Sequence, residues 1–118
     1  MNLENRKNFI NKIENPENDR EITRQEVVES LRAHPENLML LQKFLEQEEA
    51  RAEKTSKGNL NIAILEIDIF EEAGMYEAAY NTCEQTIGIA EQFDLEQEKK
   101  LIERIRGLQS KILSASLE

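Results

Sequence analysis

Cysteine, proline, glycine and tryptophan are scarce in this chain of 118 residues, which has one, two, four and none of them, respectively. Because Cys83 is alone, no disulfide can form within the chain, and this favours a reducing compartment. The scarcity of proline and glycine permits long uninterrupted helices. The six aromatic residues are spread along the sequence, whereas pockets that stack bases or sugars bring such side chains together.

Residues of the kind that form active sites are also few. The single histidine, His34, precedes Pro35 in a segment that ends a helix, where capping or surface roles are more common than catalysis. Cys83 lies on an apolar stripe and is expected to be a buried, inert thiol. The isolated glycines form no phosphate-binding loop, and neither zinc nor calcium finds its usual ligand pattern. The sequence therefore predicts a protein that is not an enzyme and that has no cofactor or metal.

No long apolar segment is present. The N-terminal residues are polar and lack the apolar core of a secretory signal. The densest apolar stretch, residues 62–70, is interrupted by Glu66 and Asp68 and is too short to cross a bilayer. We therefore expect a cytoplasmic protein with no membrane partner. Leu117 and Glu118 resemble the remnant of a cloning site, and they are set aside as candidates for non-native residues.

Charge is distributed unevenly along the chain, whose formal net charge is −9. Residues 59–98 contain ten acidic residues and no Lys or Arg, whereas residues 99–118 contain five basic and two acidic residues. One interpretation is a solvated surface that the basic last helix partly neutralises. The other is a docking face for a basic peptide or protein. Both argue against a direct nucleic-acid partner, because phosphate binding needs clustered Lys and Arg.

Apolar residues at helical spacing predict an all-α fold with about six helices arranged as antiparallel hairpins, and no sustained alternation predicts a strand. The predicted helices are residues 3–14, a segment opened by a capping box at Thr23 and ended near His34, and residues 36–54, 60–73, 76–93 and 95–114. Residues 55–59 are predicted to be a loop. We assign residues 1–118 to one domain, with N-terminal helices (1–35), a long connecting helix and loop (36–58) and a C-terminal part (59–116).

The last three predicted helices carry the clearest packing signals. The helix 60–73 is apolar on two sides, so it is expected to lie in the centre of the fold. Gly74 suits the left-handed residue after a helix, and Asp94 can cap the last helix. That helix has an apolar stripe, which can cover either the protein's own core or a partner's: Leu101, Ile102, Ile105, Leu108 and Ile112.

Residues 60–93 contain a recognisable pattern. Phe70 is followed by Gly74 and Tyr76 at a turn, and then by Ala79 as the small residue of the next helix. This segment resembles a tetratricopeptide repeat. Three positions depart from that pattern: Glu66, Cys83 and Thr86. The last helix, to about residue 114, is then either the first helix of a second repeat or a capping helix. The resemblance implies right-handed stacking of hairpins in the C-terminal half.

The resemblance also implies a binding surface. In tetratricopeptide repeats, polar positions of the first helix line a groove that holds a partner's peptide. In this chain those positions are occupied by Asn61, Asp68, Glu71 and Glu72. Because Glu71 and Glu72 follow Asp68 by three and four residues, the three carboxylates can share one helix face and favour Lys or Arg in a ligand. The alternative is that all three are solvated surface residues without a binding role.

Three functional hypotheses remain open. The first is a non-catalytic protein–protein interaction module, an adaptor or chaperone-like protein, that binds a basic or amphipathic segment through an acidic helical face. The second is a structural subunit of a larger bacterial, phage or plasmid-encoded assembly that oligomerises through its helices, a homo-oligomer being one form of it. The third is an acidic inhibitor of a nucleic-acid-binding protein.

Overall fold

The computed structural model describes residues 20–117, and all of its regular structure is helical. The five helices are α1 (Arg24–Ala33), α2 (Met39–Arg51), α3 (Ser56–Glu72), α4 (Tyr76–Ala90) and α5 (Leu95–Leu117). No strand occurs among these residues, so the all-α prediction is confirmed for them. The first predicted helix, residues 3–14, lies outside the described residues.

The capping box predicted at the start of α1 is present. Thr23 Oγ1 accepts a hydrogen bond from the Glu26 N–H at 3.2 Å, and the Glu26 carboxylate accepts one from the Thr23 N–H at 3.3 Å. Arg20 also donates to Glu26 at 2.7 and 2.8 Å, and this contact is the largest cause of the lowered pKa of Glu26. These local bonds satisfy backbone groups that the first helical turn leaves without partners.

Helix α2 begins three residues later than predicted. The Asn37 N–H donates to the His34 carbonyl at 3.0 Å, and Asn37 Oδ1 accepts from the Met39 N–H at 3.1 Å. These bonds hold a turn where the predicted helix 36–54 was expected to start, because an Asn side chain can replace helical backbone bonds locally. The helix ends at Arg51, so the prediction was too long at both ends.

The predicted loop at 55–59 was wrong, because α3 starts inside it. Thr55 Oγ1 accepts from the Gly58 N–H at 3.0 Å and thereby caps a helix that begins at Ser56. Gly58 is buried, and a Cβ at this position would lie 2.0 Å from the Glu53 carbonyl oxygen. A glycine that resembles a loop residue in the sequence is thus required by the close approach of the preceding chain.

Helix α3 is the central element of the described residues, as its two apolar stripes predicted. It packs against α1, α2 and α4, while α5 packs mainly against α4. Ile69 comes from one stripe and Ile67 from the other, and both are fully buried. Gly74 ends this helix with a φ of 78°, and Asp94 Oδ1 accepts from the Gln97 N–H at 3.1 Å at the start of α5, as predicted.

The described residues form a thin body, with Cα extents of 58 × 38 × 16 Å. Because packed helices lie about 8–10 Å apart, this thickness accommodates about two helix layers. Much helix surface therefore faces solvent. Ile102 belongs to that surface, because it is 36% exposed. Leu101 and Leu108, each at most 2% exposed, already fill the inward side of α5.

Replacing Gly58 with alanine should destabilise the protein, whereas the same change at Gly107 should not. Gly58→Ala forces a backbone shift near Glu53 and should cost about 1–3 kcal/mol in the free energy of unfolding. Gly107 is exposed in α5, and no atom lies within 4 Å of the place that a Cβ would occupy. Gly107→Ala should therefore raise the free energy of unfolding by up to about 1 kcal/mol. Urea denaturation followed by circular dichroism measures both. Equal effects of the two changes would contradict the close approach at Gly58.

Candidate interaction surface

The four residues that the resemblance singles out all lie on α3, but in different surroundings. Asn61 and Glu72 are exposed, whereas Asp68 and Glu71 are half-buried. The side chains of Asp68 and Glu71 are 32% and 21% exposed, compared with 45% for Glu72. The two half-buried carboxylates point toward α5, and their partners come from that helix.

Arg104 of α5 joins two of these carboxylates. Its guanidinium forms ion pairs with Asp68 and with Glu71, the latter at 2.8 Å from Nε to Oε1. The Arg104 side chain is only 26% exposed. Burial disfavours its charged form, but the hydrogen bonds that Arg104 donates to Glu71 and Asp68, together with their negative charges, outweigh burial, so the pKa of Arg104 is raised. A single side chain thereby ties the last helix to the central one.

Lys111 adds a second cation to the same cluster. Its Nζ lies 3.7 Å from Glu71 Oε2 and 5.3 Å from the centre of the Tyr76 ring. An ammonium over an aromatic face is attracted by the negative side of the ring. Two basic residues of α5 therefore balance the two half-buried carboxylates of α3.

Glu72 has its partners in α1. Arg24 forms an ion pair with the Glu72 carboxylate, and Arg32 donates to the Glu72 carbonyl oxygen at 2.6 and 3.2 Å. Cations are favoured at this end of α3, because the last carbonyl groups of a helix carry partial negative charge. The predicted acidic face of α3 is thus paired with Arg and Lys from two other helices.

This pairing agrees with the interpretation that the basic last helix neutralises part of the acidic segment. A ligand that approached Asp68 and Glu71 with Lys or Arg would compete with Arg104. Binding of a partner at Asn61, Asp68, Glu71 and Glu72 stays a prediction.

A second set of carboxylates was missed in the sequence. Glu77, Glu84 and Glu91 are exposed and spaced seven residues apart along α4 and its C-terminal cap. Residues seven apart lie on one face of a helix, so the three form a line that we call the acidic row. None of them forms an ion pair with another residue in the 20–117 range. The spacing of the three residues is visible in the sequence. That none of them has an ion-pair partner among the described residues could be seen only in the structure.

The position of Glu91 at the end of α4 is electrostatically unfavourable. A carboxylate near the C-terminus of a helix is repelled by the partial negative charge there. Asp94 follows in the same turn region. The acidic row therefore ends in a place where a cation from elsewhere would be stabilising.

The solvent-facing side of α5 mixes apolar and basic residues. Leu95, Ile102 and Leu113 are 65%, 36% and 65% exposed. Lys99 and Arg106 are also exposed and lie between them at helical spacing. We call these five residues the outer row. Arg104 differs from Ile102 and Arg106 by two positions, which places the outer row on roughly the opposite side of α5 from the α3 contact.

Two titratable groups with raised pKa values, those of Cys83 and Glu66, belong to neither row. Cys83 is fully buried, its thiol donates to the Leu101 carbonyl at 3.4 Å, and burial raises its pKa. His34 is exposed in the turn between α1 and α2, so the structure does not bring the two together. Burial also raises the pKa of the half-buried Glu66 on α3. Within residues 20–117, no three His, Cys, Asp or Glu side chains are grouped to hold a metal ion.

Comparison of the chain with protein-family models, with curated proteins and with solved structures found no match. In the described part of the chain, no helix has both the length and the apolar character needed to cross a membrane.

Removing the Arg104 guanidinium should destabilise the fold. Arg104→Gln leaves two half-buried carboxylates side by side, so we expect a loss of about 1–3 kcal/mol in the free energy of unfolding. The matched control is Lys100→Gln, which breaks an exposed pair with Glu96 at 3.9 Å and should cost less than about 0.5 kcal/mol. Urea denaturation of the three proteins gives the values. Similar losses for both variants would show that Arg104 does not hold α5 to α3.

Proposed function

We propose that this chain is a non-catalytic protein–protein interaction module, an adaptor or chaperone-like protein, that binds a basic or amphipathic segment through an acidic helical face. The observation that carries the proposal is the contrast between two acidic faces. Asp68, Glu71 and Glu72 of α3 have cations from α1 and α5 as partners, whereas the three carboxylates of the acidic row have none among the described residues. The acidic row is accordingly the face that we assign to the partner.

The geometry of the row specifies the ligand. Successive carboxylates lie about 10 Å apart along the axis, because seven residues rise by about 1.5 Å each. A helical segment with Lys or Arg at every seventh position presents cations at the same interval. Tyr80 and Ile87, both half-buried, follow Glu77 and Glu84 by three residues and so offer apolar contact beside the charges. Apolar contact would supply affinity, while charge would mainly govern encounter rate and salt dependence.

Two further expectations belong to this proposal. The chain acts in the cytoplasm, since its one cysteine can form no disulfide within the chain, which is typical of reducing compartments. Helices α3 to α5 stack in the right-handed manner of tetratricopeptide repeats, which rests on the resemblance of residues 60–93. Support for a non-catalytic role comes from the separation of Cys83 and His34, one buried and the other exposed.

The test uses a fluorescently labelled amphipathic helical peptide with Arg at every seventh position. Glu77→Gln/Glu84→Gln/Glu91→Gln should weaken its binding about tenfold or more at low salt, because the cations lose their partners. Fluorescence anisotropy measures the dissociation constants, and circular dichroism confirms that each variant is folded.

The matched control is Asp68→Asn/Glu71→Gln/Glu72→Gln, which removes three negative charges from α3. It should leave the affinity for the peptide within about threefold of the original, a difference below about 1 kcal/mol. Loss of binding in this control, with full binding in the α4 variant, would transfer the site to α3. Undiminished binding in both variants would contradict an acidic binding face altogether.

A further inference from the structure

The outer surface of the α4–α5 hairpin carries acid on one helix and base on the other. The acidic row lies on α4, and the outer row with Lys99 and Arg106 lies on α5. The Gln109 side chain lies 3.4 Å from the Tyr80 hydroxyl, so these sides of the two helices meet at one surface of the hairpin. Within one chain, however, no acidic-row carboxylate is paired with Lys99 or Arg106.

The contacts between the two helices fix which residues lie at the same height. Cys83 Sγ bonds to the Leu101 carbonyl at 3.4 Å, and Lys111 Nζ lies 5.3 Å from the Tyr76 ring centre. Because the helices are antiparallel, these contacts place Glu84 at about the level of Ile102. Lys99 and Arg106 lie about half of a seven-residue interval to either side of that level. A carboxylate of another molecule that faced Ile102 would therefore lie between Lys99 and Arg106.

We propose that the partner of the acidic row is the outer row of a second copy of this chain, in a two-fold symmetric dimer. This inference rests on the proposed function and names its partner. A two-fold axis parallel to the hairpin places α4 of each copy over α5 of the other. In a two-fold interface each contact occurs twice, so Glu84 of each copy meets Lys99 and Arg106 of its partner.

Exposed apolar side chains on the same surface favour this occupant. Ile102 is 36% and Leu95 65% exposed, and Phe93, in the turn between α4 and α5, is 42% exposed. A partner helix that pairs with Lys99 and Arg106 also covers Ile102, which lies between them. Helix α4 has 15 residues and is about 22 Å long, so the covered surface is at the small end of specific interfaces. We expect a reversible dimer rather than an obligate one.

Sedimentation equilibrium of the whole chain over a wide range of concentration measures the dissociation constant of the dimer. Variants that exchange the charges of one proposed ion pair test which residues form it. Glu84→Lys and Arg106→Glu should each weaken the dimer about tenfold or more, because each places like charges opposite one another. The combined variant Glu84→Lys/Arg106→Glu should recover part of the lost affinity, because the exchanged charges attract each other again while Lys99 still repels the introduced lysine. Recovery requires that the two positions face each other across copies, and a general change in net charge does not produce it. The control Glu49→Lys, on an exposed position of α2, should leave the dimer unchanged.

Each other outcome overturns the inference. A chain that stays monomeric at all concentrations excludes the second copy as partner. A dimer that neither single variant weakens, or that the combined variant fails to restore, uses a different surface. The labelled-peptide assay separates these results from the proposed function. If the chain is monomeric and the peptide still binds through the acidic row, the interaction module stands and its partner is another basic segment.

Discussion

The arrangement of the C-terminal half depends on one guanidinium, that of Arg104, between two carboxylates of the central helix. Asp68 and Glu71 lie one turn apart on α3, and Arg104 reaches both from α5 while α4 packs against each helix. This contact and the burial of Leu101 and Leu108 together set the rotation of α5 about its axis. Once Arg104 faces α3, residues two positions away face solvent. The same ion pairs that close one surface therefore determine that Ile102 and Arg106 are displayed on another.

Charge balance follows from that rotation. Ten carboxylates without a Lys or Arg among them form an acidic segment in the sequence, but the fold divides them into groups with different surroundings. Asp68, Glu71 and Glu72 have cations from α1 and α5 and stabilise the packing of helices. The acidic row of α4 has no such partners in the described residues. A surface carboxylate without a partner costs little in water, but a line of three favours a basic ligand.

The features that the sequence predicted well are those set by neighbouring residues. The capping box at Thr23, the left-handed Gly74 and the cap at Asp94 each depend on bonds spanning a few positions, and all three are present. The central place of α3 followed from its two apolar stripes. The predicted loop at 55–59 was wrong, because helix α3 starts at Ser56 and the chain approaches Gly58 closely. The exposure of Ile102 depends on how α5 rotates about its axis, which the apolar stripe left open. The pairing of Arg104 spans 33 and 36 residues and could not be read from spacing.

The central claim is that Asp68, Glu71 and Glu72 of α3 form ion pairs within the chain, whereas the carboxylates of the acidic row are available to a partner. Side-chain carboxyl NMR shifts of Glu84 and Glu71, followed while the Arg-bearing helical peptide is added to dilute protein, test this directly. We expect saturable shifts at Glu84, with smaller ones at Glu77 and Glu91, and unchanged signals from Asp68 and Glu71. Saturable shifts at Asp68 and Glu71 with no change at Glu84 would contradict the account, because the peptide would then have displaced Arg104.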